Sequence, residues 1–230
     1  MHVWLVHLDV EPDEAERLIP LLSPDERERA TRFRLPGHGA RFVVARAALR
    51  LLLAAHVGQA PAELRFTYGP RGKPALAGGA GSGLEFNLSH SRGTALYGIS
   101  RGRAVGIDLE YVRPGIDVEA LARRFLAPEE REVLGGLACE VRLEGFYRCW
   151  TRKEALLKAL GEGLTVPLSS FAVSCAPGEE ARIRRGFDES VRADRWRLED
   201  LSPGPDHAAA LCAEGTDWSS RCRSWRPGQA

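Results

Sequence analysis

Two long stretches of helix-forming residues, 40–56 and 141–160, constrain the fold of this chain more than any other feature. The first is rich in Ala, Leu and Arg and is followed by Gly58, a residue type that commonly ends helices. Each helix is accompanied by short apolar or alternating runs that glycine and polar residues interrupt, which is the pattern of strands. The sequence therefore predicts an α+β fold of two similar halves, 1–103 and 104–230, each a long helix packed on an antiparallel sheet.

Local signals place further elements. Ser23 is predicted to cap a helix that has proline at its first position, and Pro128 starts another helix in the same way. The glycine-rich stretch 78–83 predicts a loop. Strands are predicted at 3–8, 84–88, 95–100, 104–111, 171–175, 181–184, 195–201 and 208–213.

Composition excludes several classes of protein. The chain has 230 residues, 44% of them hydrophobic, which is enough for one large domain or two small ones packed together. The 32 basic and 31 acidic residues give a net charge of +1, so we expect no general nucleic-acid binder. The apolar run 3–8 is too short for a signal peptide, and no run is long enough to cross a membrane. The five cysteines are odd in number and form no Cys-x-x-Cys pair, which predicts reduced thiols in a cytoplasmic protein.

Two carboxylates share one face of a predicted strand. In the sequence Gly-Ile-Asp-Leu-Glu, Asp108 and Glu110 point the same way while Ile107 and Leu109 point to the core. Adjacent carboxylates repel each other unless a cation or a proton lies between them. On its own, this pattern is more typical of a solvent-facing strand edge.

A third carboxylate lies on the apolar face of the second long helix. The helical period aligns Leu143, Phe146, Tyr147, Trp150, Leu157 and Leu160 in one stripe. Glu154 falls inside this stripe, and Lys158 follows at its edge. A glutamate that faces a core costs free energy unless it is paired or bound to a metal. The alternative is an ordinary surface ion pair between Glu154 and Lys158.

Two further groups of residues are suited to phosphate. The strand 84–88 runs into Ser89, His90 and Ser91, whose side chains can donate hydrogen bonds, although a lone histidine is more often structural. Arginine forks bind phosphate oxygens well, although charged helix faces are usually only solvated. The basic cluster comprises Arg27, Arg29, Arg32, Arg34, Arg41 and Lys73.

The order of these motifs resembles one family. Gly-Lys-Pro, Asn-x-Ser-His-Ser, Gly-Ile-Asp-x-Glu, Trp-x-x-Lys-Glu-x-x-x-Lys and Gly-x-Gly-Leu follow one another between residues 72 and 164. This set resembles the 4′-phosphopantetheinyl transferases, in their long, Sfp-type branch, over residues 23–171. The resemblance implies two α+β halves packed as a pseudo-dimer within one chain.

The resemblance also implies a reaction. Such enzymes move the phosphopantetheine arm of coenzyme A to a serine of an apo acyl or peptidyl carrier protein and release adenosine 3′,5′-bisphosphate. Asp108, Glu110 and Glu154 would bind Mg²⁺, or Mn²⁺ in its place, together with the pyrophosphate, which suits the ligand preference of Mg²⁺. Glu154 or a metal-bound water would accept the serine proton. Lys158 would stabilise the leaving group, so that Asp108, Glu154 and Lys158 form the catalytic set.

Coenzyme A would contact a wider set of residues. Ser89 and His90 would hold phosphate oxygens, and Trp150 and Lys153 would brace the site, with Lys153 reaching towards phosphate. The ribose 3′-phosphate and adenine end would be bound by Arg29, Arg32, Arg41 and Lys73. Two positions depart from the family pattern: Phe42 stands where a small hydroxyl residue is common, and Glu26 where a basic residue is sometimes found.

The carrier protein would dock on residues 111–137. The apolar side chains of this segment are Ile116, Leu121, Phe125, Leu126 and Leu134, and the alternative for each is ordinary helix core. A single-chain site implies a monomer, and a permissive docking segment would suit polyketide or non-ribosomal peptide synthesis. One alternative is a hydrolase that cleaves coenzyme A or a nucleotide. Another is a non-catalytic protein that binds carrier domains or coenzyme A through a degenerate site, and the presence of all three carboxylates and Lys158 argues against it.

Overall fold

The computed structural model describes residues 1–35, 37–79, 81–189 and 191–228. Ala80 in the predicted glycine-rich loop and the last two residues of the predicted second half lie outside this description. The side chain of Leu164, the last residue of the Gly-x-Gly-Leu motif, lies outside it as well.

The elements follow one another in two groups. The first group comprises β1 (His2–His7), α1 (Pro12–Leu18), α2 (Pro24–Thr31), α3 (His38–Val57), β2 (Phe66–Tyr68), β3 (Pro74–Leu76), β4 (Leu84–Ser91) and β5 (Thr94–Arg101). The second comprises β6 (Val105–Tyr111), α4 (Val118–Phe125), α5 (Pro128–Gly136), α6 (Cys139–Leu160), β7 (Ala172–Val173), β8 (Ile183–Arg185), β9 (Trp196–Leu201), β10 (His207–Glu214) and β11 (Arg221–Trp225). The predicted α+β class is confirmed.

Two sheets form the centre of the molecule. One has the strand order β11-β1-β5-β4 and the other the order β6-β10-β9. Helix α3 packs on the first sheet and α6 on the second, and each pair encloses its own apolar core. Within the described residues, no helix is long and apolar enough to cross a membrane.

The first sheet differs from the prediction. It was expected to be antiparallel, but β11 pairs with β1 in parallel. The strand that ends the second group therefore returns to the first sheet, across the predicted division between 1–103 and 104–230. Sequence patterns cannot reveal this, because the same alternating residues suit a strand in either sheet.

The structure also adds elements that the sequence did not predict. They are helix α1 and the hairpin of β2 and β3, whose strands have three residues each. Elements this short carry too few residues to show a period. All five cysteines are free thiols, as predicted.

One buried arrangement occurs once in each half. Glu26 accepts a hydrogen bond from the backbone N–H of Ser23 at the start of α2, and Arg50 of α3 donates to its Oε2 at 2.6 Å. The same guanidinium donates to the carbonyls of Pro61 and Leu64. Glu26 is therefore a helix cap and the partner of buried Arg50, which gives a structural reason for the acidic residue at this position.

The second half repeats this arrangement with Glu130 and Lys153. Glu130 accepts from the backbone N–H of Ala127 at the start of α5, and its Oε2 lies 2.9 Å from Nζ of Lys153 in α6. Lys153 donates in turn to the carbonyls of Leu168 and Phe171. In both halves, a buried cation of the long helix thus joins the cap of the preceding short helix to the following loop.

Candidate active site

The two sheets meet at β4 and β6 through side chains. Asn87, Ser89 and Ser91 alternate along β4 and therefore share one face. Asn87 Oδ1 accepts from the backbone N–H of Ile107 at 2.9 Å, and Ser91 Oγ accepts from that of Tyr111 at 2.9 Å. The side chains of the Asn-x-Ser-His-Ser motif thus accept hydrogen bonds from β6 that the backbone of a paired strand would otherwise accept.

The same face of β4 orients the two strand carboxylates. Ser89 Oγ donates to Oδ1 of Asp108 at 3.0 Å, and Ser91 Oγ donates to Oε2 of Glu110 at 3.4 Å. Asp108 is 3% exposed, while Glu110 is half-buried. Burial and the nearby charge of Asp108 raise the pKa of Glu110. These two side chains point the same way, as the strand period predicts.

Gly106 allows α6 to approach these carboxylates. A Cβ atom on Gly106 would overlap the carbonyl oxygen of Ala155 and the backbone nitrogen of Ala159. Only a glycine therefore lets the backbone of α6 lie directly against β6. This contact brings Glu154 and Lys158 beside Asp108.

Lys158 bonds to Asp108 rather than to its helical neighbour. Its Nζ donates to Oδ1 of Asp108 at 2.6 Å and to Oγ of Ser89 at 3.0 Å. The predicted alternative, a surface ion pair between Glu154 and Lys158, does not occur among the ion pairs of the described residues. Burial and the charges of Asp108 and Glu110 raise the pKa of Glu154 to about 7, although the charge of Lys158 opposes this rise.

Two of the carboxylate oxygens have no hydrogen-bond partner in the part of the chain that the structure describes. They are Oδ2 of Asp108 and Oε1 of Glu154, and both are buried. Buried acceptors are seldom left unpaired, so each such atom requires an explanation. Within the described ranges, no three His, Cys, Asp or Glu side chains already stand as a metal-binding group. The donors are nevertheless the oxygen ligands that hard divalent cations prefer, and the two free oxygens are available to one.

A large cavity opens beside these residues. It has a volume of about 1370 Å³, and Glu154 and Lys158 form part of its wall. Among the described residues, Glu154 is the single acidic residue in the wall, against eight lysines and arginines: Arg29, Arg41, Arg46, Arg71, Lys73, Arg92, Arg113 and Lys158. Four of these cations also pair with carboxylates outside the wall, and the others add positive charge to the cavity in a chain whose net charge is only +1.

Several predicted coenzyme A contacts lie in this wall. Arg29, Arg41 and His90 all line the cavity. Arg41 also pairs with Asp9, which is 63% exposed on its side chain. Part of the His90 ring is exposed, and desolvation together with the charge of Lys158 lowers its pKa, so the ring is neutral at pH 7. Phe42 lies in the same wall and carries the guanidinium of Arg29 at 5.2 Å from its ring centre.

Other predicted contacts lie elsewhere. The side chain of Arg32 is 71% exposed and pairs with Glu28, outside the cavity wall. Lys153 is fully buried and is bound to Glu130, so its ammonium cannot reach towards phosphate as predicted. Ser89 contacts Asp108 and Lys158 behind the wall. These corrections follow from tertiary contacts that one helical period cannot show.

Sequence reasoning missed five cationic or ionisable residues in the wall. They are His38, Arg46, Arg71, Arg92 and Arg113. Two signals could have found members of this set: Arg71 directly precedes the Gly-Lys-Pro motif, and His38 lies at the start of the first long helix. The other three stand in no recognisable pattern.

The apolar side chains of the predicted carrier-docking segment are divided between core and surface. Leu126 and Leu134 are 1% and 2% exposed. Ile116, Leu121 and Phe125 are partly buried and pack against the apolar core under α6. The ordinary helix-core interpretation therefore holds for the first two, while the other three keep some surface.

Comparison with known proteins identifies the family of this chain. A family model described as the 4′-phosphopantetheinyl transferase superfamily matches residues 104–212. The 4′-phosphopantetheinyl transferase HetI of Nostoc sp. is 40% identical over 96% of this chain and 90% of that protein. A 4′-phosphopantetheinyl transferase of Bacillus subtilis is 31% identical over 75% of this chain and 76% of that protein. The transferase Sfp of Bacillus subtilis strain 168 is 28% identical over 95% of this chain and 94% of that protein.

Similarity to solved structures is weaker. The ACPS–CoA complex from Chronobacterium ammoniagenes aligns with 50% of this chain and 98% of that chain, at 20% identity and a TM-score of 0.37. That score is too low to bear on the substrate.

The fold places a cavity with many lysines and arginines in its wall beside a cluster of carboxylates. This chain belongs to the 4′-phosphopantetheinyl transferase superfamily, as its motifs predict, and is an enzyme of that class.

Proposed function

We propose that this protein transfers the 4′-phosphopantetheine group of coenzyme A to a serine of an apo acyl or peptidyl carrier protein and releases adenosine 3′,5′-bisphosphate. The observation that carries the proposal is the cavity of about 1370 Å³, whose described wall residues include eight lysines and arginines and one acid. A cavity of this charge and size suits a large polyanion, because arginine forks bind phosphate oxygens in pairs.

The arginine-rich side of the cavity suits the nucleotide end of coenzyme A. Arg29 and Arg41 come from α2 and α3, and His38 stands at the start of α3. Arg29 pairs with no carboxylate within the described residues, so its charge is available to a phosphate. We assign this side to the 3′-phosphate.

A divalent cation, Mg²⁺ or Mn²⁺, would be held by Asp108, Glu110 and Glu154. When bound, it would neutralise charge on the pyrophosphate oxygens. The unpartnered oxygens of Asp108 and Glu154 support this assignment. Asp108 lies on β6 and Glu154 on α6. Their free oxygens could bind the same ion only because α6 lies against β6 at Gly106.

Glu154 and Lys158 have different roles in the transfer. Glu154 lines the cavity beside Asp108, so its carboxylate is the candidate acceptor of the serine proton. Lys158 carries the ammonium that lies beside Asp108 at the cavity wall, where it would stabilise charge on the leaving bisphosphate. Asp108 orients Lys158 through their 2.6 Å contact.

The two halves would act as a pseudo-dimer within a monomeric chain. The repeated pairs Glu26–Arg50 and Glu130–Lys153 support this duplication. The carrier protein would approach over residues 111–137, where Ile116, Leu121 and Phe125 keep part of their apolar surface.

The test is transfer to a carrier protein followed by intact-mass spectrometry. The protein is mixed with coenzyme A, Mg²⁺ and an apo carrier domain of fatty-acid, polyketide or non-ribosomal peptide synthesis. We expect the carrier to gain the mass of one phosphopantetheine group. No gain with any carrier would exclude the proposal. Release of phosphopantetheine to water at the same rate with and without carrier would instead identify a hydrolase.

A further inference from the structure

Lysine is scarce in this chain. Of 32 lysines and arginines, only Lys73, Lys153 and Lys158 are lysine. All three ammonium groups make several short polar contacts inside the protein. Nearly all other basic positions of the chain are arginine. We therefore interpret these three as positions where the compact ammonium group of lysine, with its three donors, fits and the planar guanidinium group of arginine does not.

Lys73 has an unusual set of partners. Its Nζ donates to the carbonyl oxygens of Lys158 at 2.9 Å, Val105 at 3.1 Å and Ala159 at 3.4 Å. These belong to the last turn of α6 and to the start of β6. Burial lowers the pKa of Lys73, although the charge of Glu85 opposes this shift.

The three bonds use the whole donor capacity of the ammonium. A lysine side chain has three N–H donors and no acceptor. The carbonyls at a helix C-terminus lack partners inside the helix and carry partial negative charge, so a cation there is stabilising. With all three donors bound to carbonyls, Lys73 has none left for a phosphate of the substrate.

The geometry points to Lys73 as a positioning residue for the transfer, and not as a ligand of coenzyme A. It joins the end of α6 to β6 and so holds Lys158 and, one turn earlier, Glu154 beside Asp108. This inference rests on the proposed function, because it concerns the rate of that reaction. It also links the cavity wall at Arg71 and Gly72 to the helix that carries the reacting side chains.

Chemical labelling of lysine tests the contact without any activity measurement. The variant Arg17→Lys, at an exposed position, provides a reference amine, and this protein is dimethylated reductively with and without coenzyme A. We expect Lys73 to react at least about tenfold more slowly than the reference amine under both conditions, because its nitrogen is bound to three carbonyls. A Lys73 rate close to the reference that falls when coenzyme A is added would overturn the inference.

Steady-state kinetics of transfer test the consequence. We expect Lys73→Met to lower kcat about 30-fold or more, while the KM for coenzyme A changes less than about threefold, since misplacement by an ångström costs rate rather than binding. Lys73→Arg should recover only part of kcat, and Arg17→Met should match the unchanged protein. A rise of tenfold or more in KM at unchanged kcat would overturn the inference. Inactivity of the unchanged protein would instead refute the proposed function, and the labelling result would still stand.

Discussion

Lys158 places its ammonium 2.6 Å from Oδ1 of Asp108, on a different element, although Glu154 lies one turn earlier on the same helix. This pairing leaves Oε1 of Glu154 buried without a partner. A helix surface alone would favour the local pair, because residues four apart are neighbours. The close packing of α6 on β6 at Gly106 decides between the two.

The first prediction concerns Gly106. In Gly106→Ala, the new methyl group would overlap backbone atoms of Ala155 and Ala159, which cannot move aside as a flexible side chain could. We expect α6 to shift, transfer activity to fall about 100-fold or more, and stability to fall by about 1–3 kcal/mol. Activity and urea unfolding of the purified variant provide the measurements.

Gly135 provides a matched control for that change. It lies in α5, and a Cβ atom there would meet nothing within 4 Å. We expect Gly135→Ala to keep kcat at saturating carrier protein, since residues 111–137 are proposed to affect carrier binding only, and to gain up to about 1 kcal/mol in stability. Equal transfer activity of the two variants would show that transfer does not depend on the close approach of α6 to β6 at Gly106.

The second prediction concerns pH and Glu154. Burial and the charges of Asp108 and Glu110 raise its pKa to about 7, so the folded protein favours its protonated form. The stabilising contribution of this group is complete below pH 4.5 and is lost as pH rises through 7. In a metal-free buffer that contains a chelator, we expect Glu154→Gln to melt at a higher temperature than the unchanged protein at pH 8. At pH 5, the two proteins should melt at nearly the same temperature. Equal melting temperatures at pH 8 would contradict the raised pKa.

The third prediction separates two arginines that the sequence treats alike. Arg41 lines the cavity, whereas Arg32 is exposed beside Glu28. We expect Arg41→Met to raise the KM for coenzyme A about tenfold or more, because a charge-assisted hydrogen bond to phosphate is lost. Arg32→Met should change it less than twofold. Coenzyme A without its 3′-phosphate should show no such difference between the variants, and an equal effect of both changes on coenzyme A would refute the assignment.

The fourth prediction compares the two buried ion pairs. Removing one partner of a buried pair costs about 3–5 kcal/mol, because the other charge stays buried. Glu26 keeps Arg46 when Arg50 is replaced by Met, but Glu130 keeps no other cation among its described ion-pair partners when Lys153 is replaced by Met. Lys153→Met should therefore lower the free energy of unfolding more than Arg50→Met.

Acid unfolding extends this comparison. Desolvation raises the pKa of Glu26, but the hydrogen bonds and charges of Arg50 and Arg46 outweigh it and lower the pKa overall. Its contribution is present above pH 4.5 and is lost as pH falls. In Arg50→Met, we expect acid unfolding to begin at a higher pH. An unchanged acid transition would show that Arg50 does not hold the Glu26 charge.

Much of the fold was predictable from periodicity. The long helices, with Gly58 after the first, and the strands that carry Asp108 and Asn87 appear close to the predicted positions. The parallel pairing of β11 with β1 was not predicted, because sheet order depends on contacts between segments far apart in sequence. The hairpin of β2 and β3 was missed because its strands are too short to show alternation.

The site was predictable in its residue types but not in all their partners. The order of the motifs assigned Asp108, Glu110, Glu154 and Lys158 to one predicted site. In the structure these residues lie near one another on β6 and α6. Lys73 and Lys153 were assigned to phosphate because a lysine in such a motif is suited to it. The direction of each ammonium is set by carbonyls of other segments, and that information is not in the motif.

The claim that Asp108, Glu110 and Glu154 hold one divalent cation is tested most directly by Mn²⁺ binding followed by electron paramagnetic resonance. The free Mn²⁺ signal is measured during titration of the protein in the presence of coenzyme A. We predict one bound ion for each chain, binding weakened about tenfold or more in Glu154→Gln, and normal binding in Arg32→Met. Equal Mn²⁺ affinity in Glu154→Gln and the unchanged protein would contradict the claim.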